Sequence, residues 1–184
     1  MVSSATMVSK FRSAMRDVAE PFLWSDDAVI GYLNQARLEL CYRAWGISDT
    51  IDLTFSDGLL VEYPRYILKI KTAYNTANGR AIPLRAYTEV SDPFSPRTSG
   101  NPSCLLTGLE EGKLKAYPVP SSPVTVRLVV LRYPKVFVSA VDTQDIEMGD
   151  EAVAGLLYWM RHEAYSQEDS ETYDRGQADY FYNK

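Results

Sequence analysis

The residue types that carry most enzyme chemistry are scarce in this chain. His162 is the one histidine, and Cys41 and Cys104 are the two cysteines. Ser-His-Asp and Cys-His catalysis would both have to use His162, and a zinc signature would need a second histidine at the helical spacing. We therefore expect a surface or interface histidine. The cysteines lie far apart and form no metal-ligand pattern, so we expect two buried thiols in a reducing compartment.

Carboxylates are more plentiful and could bind a metal or act as acid and base. One group is Glu147, Asp150 and Glu151, and the other is Glu168, Asp169 and Glu171. The first stands at the start of a predicted helix, where the helix dipole favours negative charge, and the second lies in a polar segment. The glycines form neither of the usual nucleotide-binding loops. The sequence thus predicts no catalytic residue, no cofactor-binding residue, no metal ligand and no enzyme activity.

A nucleic-acid surface has limited support. Basic residues interleave with tyrosines between residues 63 and 74, as on protein surfaces that bind single-stranded nucleic acid. The ordinary alternation of side chains along a β-strand gives the same pattern. The net charge is −5, which argues against a globally basic surface. Residues 1–141 hold 16 Lys/Arg and 13 Asp/Glu, whereas residues 142–184 hold 3 and 11, so the acidity belongs to the C-terminal quarter.

Two helices are predicted near the N-terminus. Residues 4–20 carry an apolar stripe and end at Pro21, as a helix of the core or, alternatively, as an arm for a neighbouring subunit. Residues 26–45 form the second helix, with Ser25 as its N-cap and Gly46 as a left-handed residue after its end.

The middle of the chain predicts strands. Apolar and polar residues alternate from Ile51 and again from Val124 to Tyr133, and Asn78-Gly79 is a hairpin signal. Residues 91–102 are predicted to be a long loop. A small, mostly antiparallel β unit therefore follows the first two helices.

Helical spacing returns after Asp150, which we expect to cap a helix, and residues 171–183 predict another after a polar break at 166–170. The predicted class is α+β, a helical bundle formed by N- and C-terminal helices with an inserted β unit. We expect N-terminal bundle helices at 1–50, the β unit at 51–141, and helices with an acidic terminal arm at 142–184.

Several phrases of the sequence resemble a known family. They are Trp24-Ser25-Asp26-Asp27, Tyr32-Leu33-Asn34-Gln35-Ala36, Gly100-Asn101-Pro102, Lys113 to Pro120 with its P-x-P, and Tyr158 to Tyr165 before a second aromatic helix. Their order over residues 20–184 is similar to the head–tail adaptor proteins of tailed bacteriophages, also called connector or tail tubular proteins.

The resemblance implies a structural virion protein. Such adaptors form a ring, commonly a dodecamer, below the portal protein, extend the DNA channel for genome ejection, and dock the next tail or nozzle protein. It implies no catalytic residue, no cofactor and no specific DNA binding, and it places the protein in the virion after a stay in the host cytoplasm. The matching C-terminal arm here would supply the portal or subunit interface, with Tyr173, Tyr180, Phe181 and Tyr182.

Two alternatives remain open at this point. One is another non-enzymatic virion or tail module with an α+β body. The other is a small enzyme that uses carboxylates such as Glu147, Asp150 and Glu163. No apolar run approaches the roughly 20 residues that cross a bilayer, so no membrane partner is expected.

Overall fold

A computed structural model describes residues 2–93, 99–141, 143–167 and 173–184. The predicted loop at 91–102, the predicted polar break and the start of the last predicted helix lie partly outside these residues. The acidic group Glu168, Asp169 and Glu171 lies wholly outside them.

The chain folds into two compact units. Met1–Ile47 and Tyr133–Lys184 form the first, here called the helical unit, and Ser48–Arg132 forms the second, here called the β unit. Terminal helices with a β unit between them confirm the predicted α+β class. The helical unit has a net charge of −7 and the β unit a net charge of +2.

Four α-helices account for most of the helical unit within the described residues. They are α1 (Ser4–Met15), α2 (Asp26–Leu40), α3 (Val153–Ser166) and α4 (Arg175–Tyr182). α2 packs on α3, α4 packs on α3, and α1 contacts both α2 and α3. None of the described helices is long and apolar enough to span a bilayer.

The predicted apolar stripes meet in the core of this unit. The fully buried side chains include Met7 and Phe11 from α1, Leu33 from α2, and Leu156 and Met160 from α3. Met7 and Phe11 are four residues apart, as are Leu156 and Met160, so each pair lies on one face of its helix, as the sequence predicts.

α1 ends five residues earlier than predicted, because of tertiary contacts that follow its last turn. Arg16 adopts a left-handed conformation with φ 58°, which stops the helix at Met15. The Asp17 carboxylate then accepts hydrogen bonds from Leu23 N–H and from the Arg12 guanidinium, at 2.8 and 2.6 Å. Val18, predicted to continue the apolar stripe, is 71% exposed.

The predicted helix at 26–45 has two parts. Ser25 caps α2 as expected, since its hydroxyl oxygen accepts from Ala28 N–H at 3.2 Å. A π-helical turn, Cys41–Trp45, then continues it. The left-handed conformation predicted for Gly46 is wrong, because its φ of −45° and ψ of 137° are extended backbone that leads directly into a strand.

α3 also begins differently from the prediction. A 3₁₀ turn, Asp150–Ala152, precedes it, and Gly149 rather than Asp150 stands at the cap position without a side-chain cap. Asp150 and Glu151 still lie in the first turn, where the helix dipole favours them.

The β unit contains seven strands within the described residues. They are β1 (Ile47–Phe55), β2 (Val61–Glu62), β3 (Ile67–Asn75), β4 (Leu84–Ala86), β5 (Cys104–Thr107), β6 (Lys113–Tyr117) and β7 (Val124–Arg132). One sheet has the order β1-β7-β3 and the other β2-β6-β5-β4. The β3–β7, β2–β6 and β5–β6 pairs are antiparallel, and β4–β5 is parallel.

A single apolar cluster holds these sheets, and it includes Phe55, Leu105, Leu114, Val126 and Leu128. The alternation predicted for the last strand is confirmed, because Val126, Leu128 and Val130 are buried while Arg127 between them is exposed. Arg127 forms a two-pronged ion pair with Asp52 on the exposed face, at 2.8 and 2.9 Å.

Candidate assembly surface

Residues 133–141 and 143–149, here called the strap, are attached to α2 by side chains of that helix. Residues 133–141 are expected from the sequence to belong to the β unit, whereas in the structure they group with the helices. Asn34 explains the attachment, because its carboxamide accepts from Val138 N–H at 2.9 Å and donates to the Val138 carbonyl at 2.8 Å. One side chain thus makes both hydrogen bonds that a neighbouring strand would make.

Arg37 makes the second attachment and is 1% exposed. Its guanidinium donates to the carbonyl oxygens of Ile146 and Val136, at 3.0 and 3.1 Å. Glu147 lies 3.7 Å away and compensates the buried charge. The same carboxylate accepts from Lys135 N–H at 2.7 Å, so Glu147 closes the strap on itself.

The sequence segment around Trp24 makes contacts within the helical unit. Trp24 is 7% exposed and meets the rings of Phe11 and Tyr165 edge-on, at 5.8 and 6.5 Å between centroids. Arg12 bridges Asp17 and Asp26 and donates to the Trp24 carbonyl. This network fixes the connection between α1 and α2.

α4 lies on α3 through aromatic contacts. Phe181 is 4% exposed and stacks between Tyr158 and Tyr165, with centroids 6.2 and 6.1 Å away. The His162 ring donates from Nδ1 to the Ala178 carbonyl at 2.9 Å. The histidine expected at a surface or interface therefore joins two helices of the same chain.

The four side chains predicted at an interface divide into two kinds. Tyr173, Tyr180 and Tyr182 are 43%, 54% and 47% exposed. Phe181 is buried within the single chain, so its observed contacts attach α4 to α3. The interface role of the four residues remains a prediction.

Arg43 extends the exposed aromatic surface. Its guanidinium lies over the rings of Trp159 and Tyr182, 4.7 and 4.8 Å from their centroids, and donates to the Tyr182 hydroxyl at 3.1 Å. The hydrogen bonds to Tyr182 and Glu39 raise the pKa of Arg43 above its usual value. Arginine and tyrosine are among the residue types most enriched at protein interfaces.

A groove of about 380 Å³ lies between α3 and α4. Its walls are Tyr158, Arg161, Gln177, Tyr180 and Phe181. The Arg161 guanidinium covers the Phe181 ring at 3.9 Å, and the Nε atom of Arg161 is buried with no hydrogen-bond acceptor in the part of the chain that the structure describes. We call this feature the α3–α4 groove.

The candidate chemical residues are not brought together. Glu147 serves the strap, Asp150 and Glu151 start a helix, and His162 binds a carbonyl. Among the described residues no group of three or more His, Cys, Asp or Glu could hold a metal ion. Both cysteines are buried and form no disulfide within the described part of the chain, and burial raises the pKa of Cys104.

The basic residues that interleave with tyrosines lie on β3 or just before it. Lys69 and Lys71 of β3 are exposed, and so is Arg65 just before it. Tyr74 is 37% exposed, whereas Tyr63 and Tyr66 are half-buried, so the three tyrosines do not form a continuous exposed stacking row. Strand alternation accounts for the pattern.

Sequence reasoning missed the roles of Asn34, Arg37 and Arg161. Asn34 belongs to one of the phrases that carry the family resemblance, and an asparagine and an arginine three residues apart share one helix face. That spacing is the available signal for the strap contact. Arg161 follows a run of apolar residues in α3 and stands three residues after Tyr158, but nothing in the sequence shows that α4 closes a groove above it.

Comparison with models of known protein families gives a match over nearly the whole chain. A family model described as SU10 adaptor protein matches residues 4–184, which is nearly the whole chain. No curated protein matches the chain.

Proposed function

The chain belongs to the SU10 adaptor protein family, a family of phage head–tail adaptors, and we propose that it forms a ring below the portal protein. This ring, a dodecamer, extends the DNA channel and docks the next tail or nozzle protein. The exposed aromatic surface of α3 and α4 is the observation that carries the proposal.

That surface has the composition of a protein contact. Tyr158, Tyr173, Tyr180 and Tyr182 are between 37% and 54% exposed, with Arg43 beside Tyr182. Tyrosine gives a large contact area at a low cost in side-chain entropy, and a solvent-exposed cluster of this kind is typical of interfaces. We assign Tyr173, Tyr180 and Tyr182 to contacts with the portal protein or a neighbouring subunit, with Phe181 as their support.

Passage of DNA without specific binding is supported by charge. The helical unit carries a net charge of −7, which repels phosphates, and each phosphate that a protein neutralises adds affinity. A channel surface should therefore offer few unpaired cations. The proposal gives the chain no catalytic role and no cofactor, and it places the protein at the portal vertex of the virion.

The test is assembly on the portal. The purified protein is mixed with its portal ring, and the mass and outline of the product are measured by light scattering and negative-stain microscopy. The expected result is one added ring of twelve subunits below each portal. Portal particles of unchanged mass at saturating protein would overturn the proposal, whereas self-association of the protein without a portal is not required.

A further inference from the structure

Arg161 is a cation that has no anion beside it in the described part of the acidic helical unit. Arg12, Arg37 and Arg43 of this unit each lie within 4 Å of a carboxylate. Arg16 and Arg175 are not in ion pairs with described residues either, but both are exposed. Arg161 has no ion-pair partner among the described residues, although its Nε atom is buried. A buried donor without an acceptor costs free energy, and it calls for an explanation.

The α3–α4 groove around Arg161 suits one class of ligand. Among the described wall residues Arg161 is the charged one, and Tyr158 and Tyr180 supply partly exposed aromatic walls. One face of the guanidinium is covered by Phe181 and its Nε atom is buried, so its two Nη atoms are the donors left for two parallel hydrogen bonds to a carboxylate. A carboxylate next to an apolar side chain would therefore complement the groove.

The β unit presents such a pair in the turn between β1 and β2. Ser56–Leu59, here called the β1–β2 turn, is closed by a 3.2 Å hydrogen bond from Leu59 N–H to the Ser56 carbonyl. Leu59 is 67% exposed, and Asp57 is exposed with no ion-pair partner among the described residues. The turn therefore offers one unpaired carboxylate and one apolar side chain to solvent.

The β1–β2 turn is also held in one conformation. Asp57 and Gly58 have φ of 51° and 68°, a left-handed pair that aspartate and glycine adopt readily. A Cβ at Gly58 would lie 3.0 Å from Val119, so the turn sits closely on that side chain. A preformed turn loses little conformational entropy when it binds.

We propose that the β1–β2 turn of one subunit occupies the α3–α4 groove of the next subunit. The Asp57 carboxylate pairs with the Arg161 guanidinium, and Leu59 lies between Tyr158 and Tyr180. This contact rests on the proposed ring and specifies one of its interfaces.

The occupant is a second copy for reasons of charge and symmetry. The turn belongs to a unit of net charge +2 and the groove to a unit of net charge −7, so the approach of the two is favourable overall. Every copy carries one turn and one groove on different units. A contact between different surfaces of identical subunits is heterologous, and such contacts close into rings when the rotation allows.

Charge reversal tests the pair directly. Asp57→Lys or Arg161→Glu alone places like charges at every junction, so each variant should need at least about a tenfold higher concentration for half-maximal assembly on the portal. An equal mixture of the two variants should restore assembly. In alternating order, the lysine introduced in the first variant would face the glutamate introduced in the second, and the unchanged Asp57 and Arg161 would meet at the junctions between them.

Glu111→Lys is the matched control. Glu111 is an exposed carboxylate in another turn of the β unit, without an ion-pair partner among the described residues, and its reversal changes the net charge equally. It should assemble like the wild type. Asp57→Asn, which tolerates the left-handed conformation, keeps the test valid if Asp57→Lys folds poorly, and thermal melts report folding for every variant.

The outcomes separate this contact from the ring itself. Three results together would support the contact. Each charge-reversal variant alone assembles poorly on the portal, the equal mixture of the two assembles normally, and Glu111→Lys assembles like the wild type. Normal assembly of either reversal, failure of a mixture of two folded variants, or an equal loss in Glu111→Lys would overturn it and leave the ring intact. A wild-type protein that adds no mass to the portal would overturn the ring, and the contact with it.

Discussion

The side-chain carboxamide of Asn34 replaces a missing strand for Val138, which lies 104 residues later in the chain. The two hydrogen bonds, at 2.8 and 2.9 Å, satisfy both backbone groups of one residue in a segment that has no regular secondary structure. Because an unpaired buried backbone group is costly, this contact decides where the strap lies on α2.

We expect Asn34→Ala to lower the free energy of unfolding by about 1–3 kcal/mol, since it leaves the N–H and C=O groups of Val138 unpaired. Denaturant unfolding followed by circular dichroism measures the change. Gln35→Ala is the matched control, because Gln35 is exposed on the same helix, and it should change stability little. Equal stability of both variants would show that the carboxamide contact contributes nothing.

Arg37→Ala should destabilise the protein more strongly, by about 3–5 kcal/mol. The substitution removes the donor for the Ile146 and Val136 carbonyls and the guanidinium that lies 3.7 Å from the Glu147 carboxylate. Limited proteolysis should then cut the strap between residues 133 and 149 first. A strap that resists cleavage as well as in the wild type would contradict this role.

Tyr180 and Phe181 should separate assembly from folding. Phe181→Ala removes the ring that stacks on Tyr158 and Tyr165, so amide exchange in α4 should accelerate at least about tenfold. Tyr180→Ser changes a side chain that is 54% exposed and should leave exchange nearly unchanged while weakening assembly on the portal. The reverse assignment of the two effects would place Tyr180 in the core and Phe181 at the interface.

Tyr32→Phe should not destabilise the protein and should weaken its sensitivity to alkaline pH. The Tyr32 hydroxyl is buried without a hydrogen-bond partner among the described residues, and burial, followed by the charge of Glu163, raises its pKa above 10.0. Above that pH the unfolded chain releases the proton more readily than the folded chain, so stability falls as pH rises.

The check for Tyr32 is a series of unfolding curves from about pH 7 to about pH 11, which brackets the ordinary tyrosine pKa. The wild type should lose stability above about pH 10, and the difference between wild type and Tyr32→Phe should be smallest at the neutral end. Parallel loss in both proteins would assign the alkaline sensitivity to other groups.

The sequence predicts the regular elements well because their signals are local. The Ser25 cap, the buried stripe of α2 and the alternation in β7 each depend on residues within a few positions of one another. The end of α1 could not be predicted in this way. It depends on the Asp17 carboxylate, which accepts hydrogen bonds from Leu23 N–H and from the Arg12 guanidinium. These hydrogen bonds exist only in the folded chain.

The same limit applies to the assembly surface. Composition identifies aromatic residues at 173–182, but it does not show that Phe181 faces Tyr165 while its neighbour Tyr180 faces solvent. Arg161 is the clearest example of what the sequence cannot predict, because the feature that distinguishes it is the absence of an ion-pair partner among the described residues. A missing ion pair becomes visible only when the nearby carboxylates have been located.

The division of the chain into a continuous β unit and an interrupted helical unit has a consequence for biosynthesis. Residues 48–132, with all the partners that their own contacts need, leave the ribosome before α3 is made, whereas α1 and α2 must wait for α3 before their apolar faces are covered. The α3–α4 groove therefore forms after the β1–β2 turn is already complete. Translation order itself would keep nascent chains from joining one another before the subunit is finished.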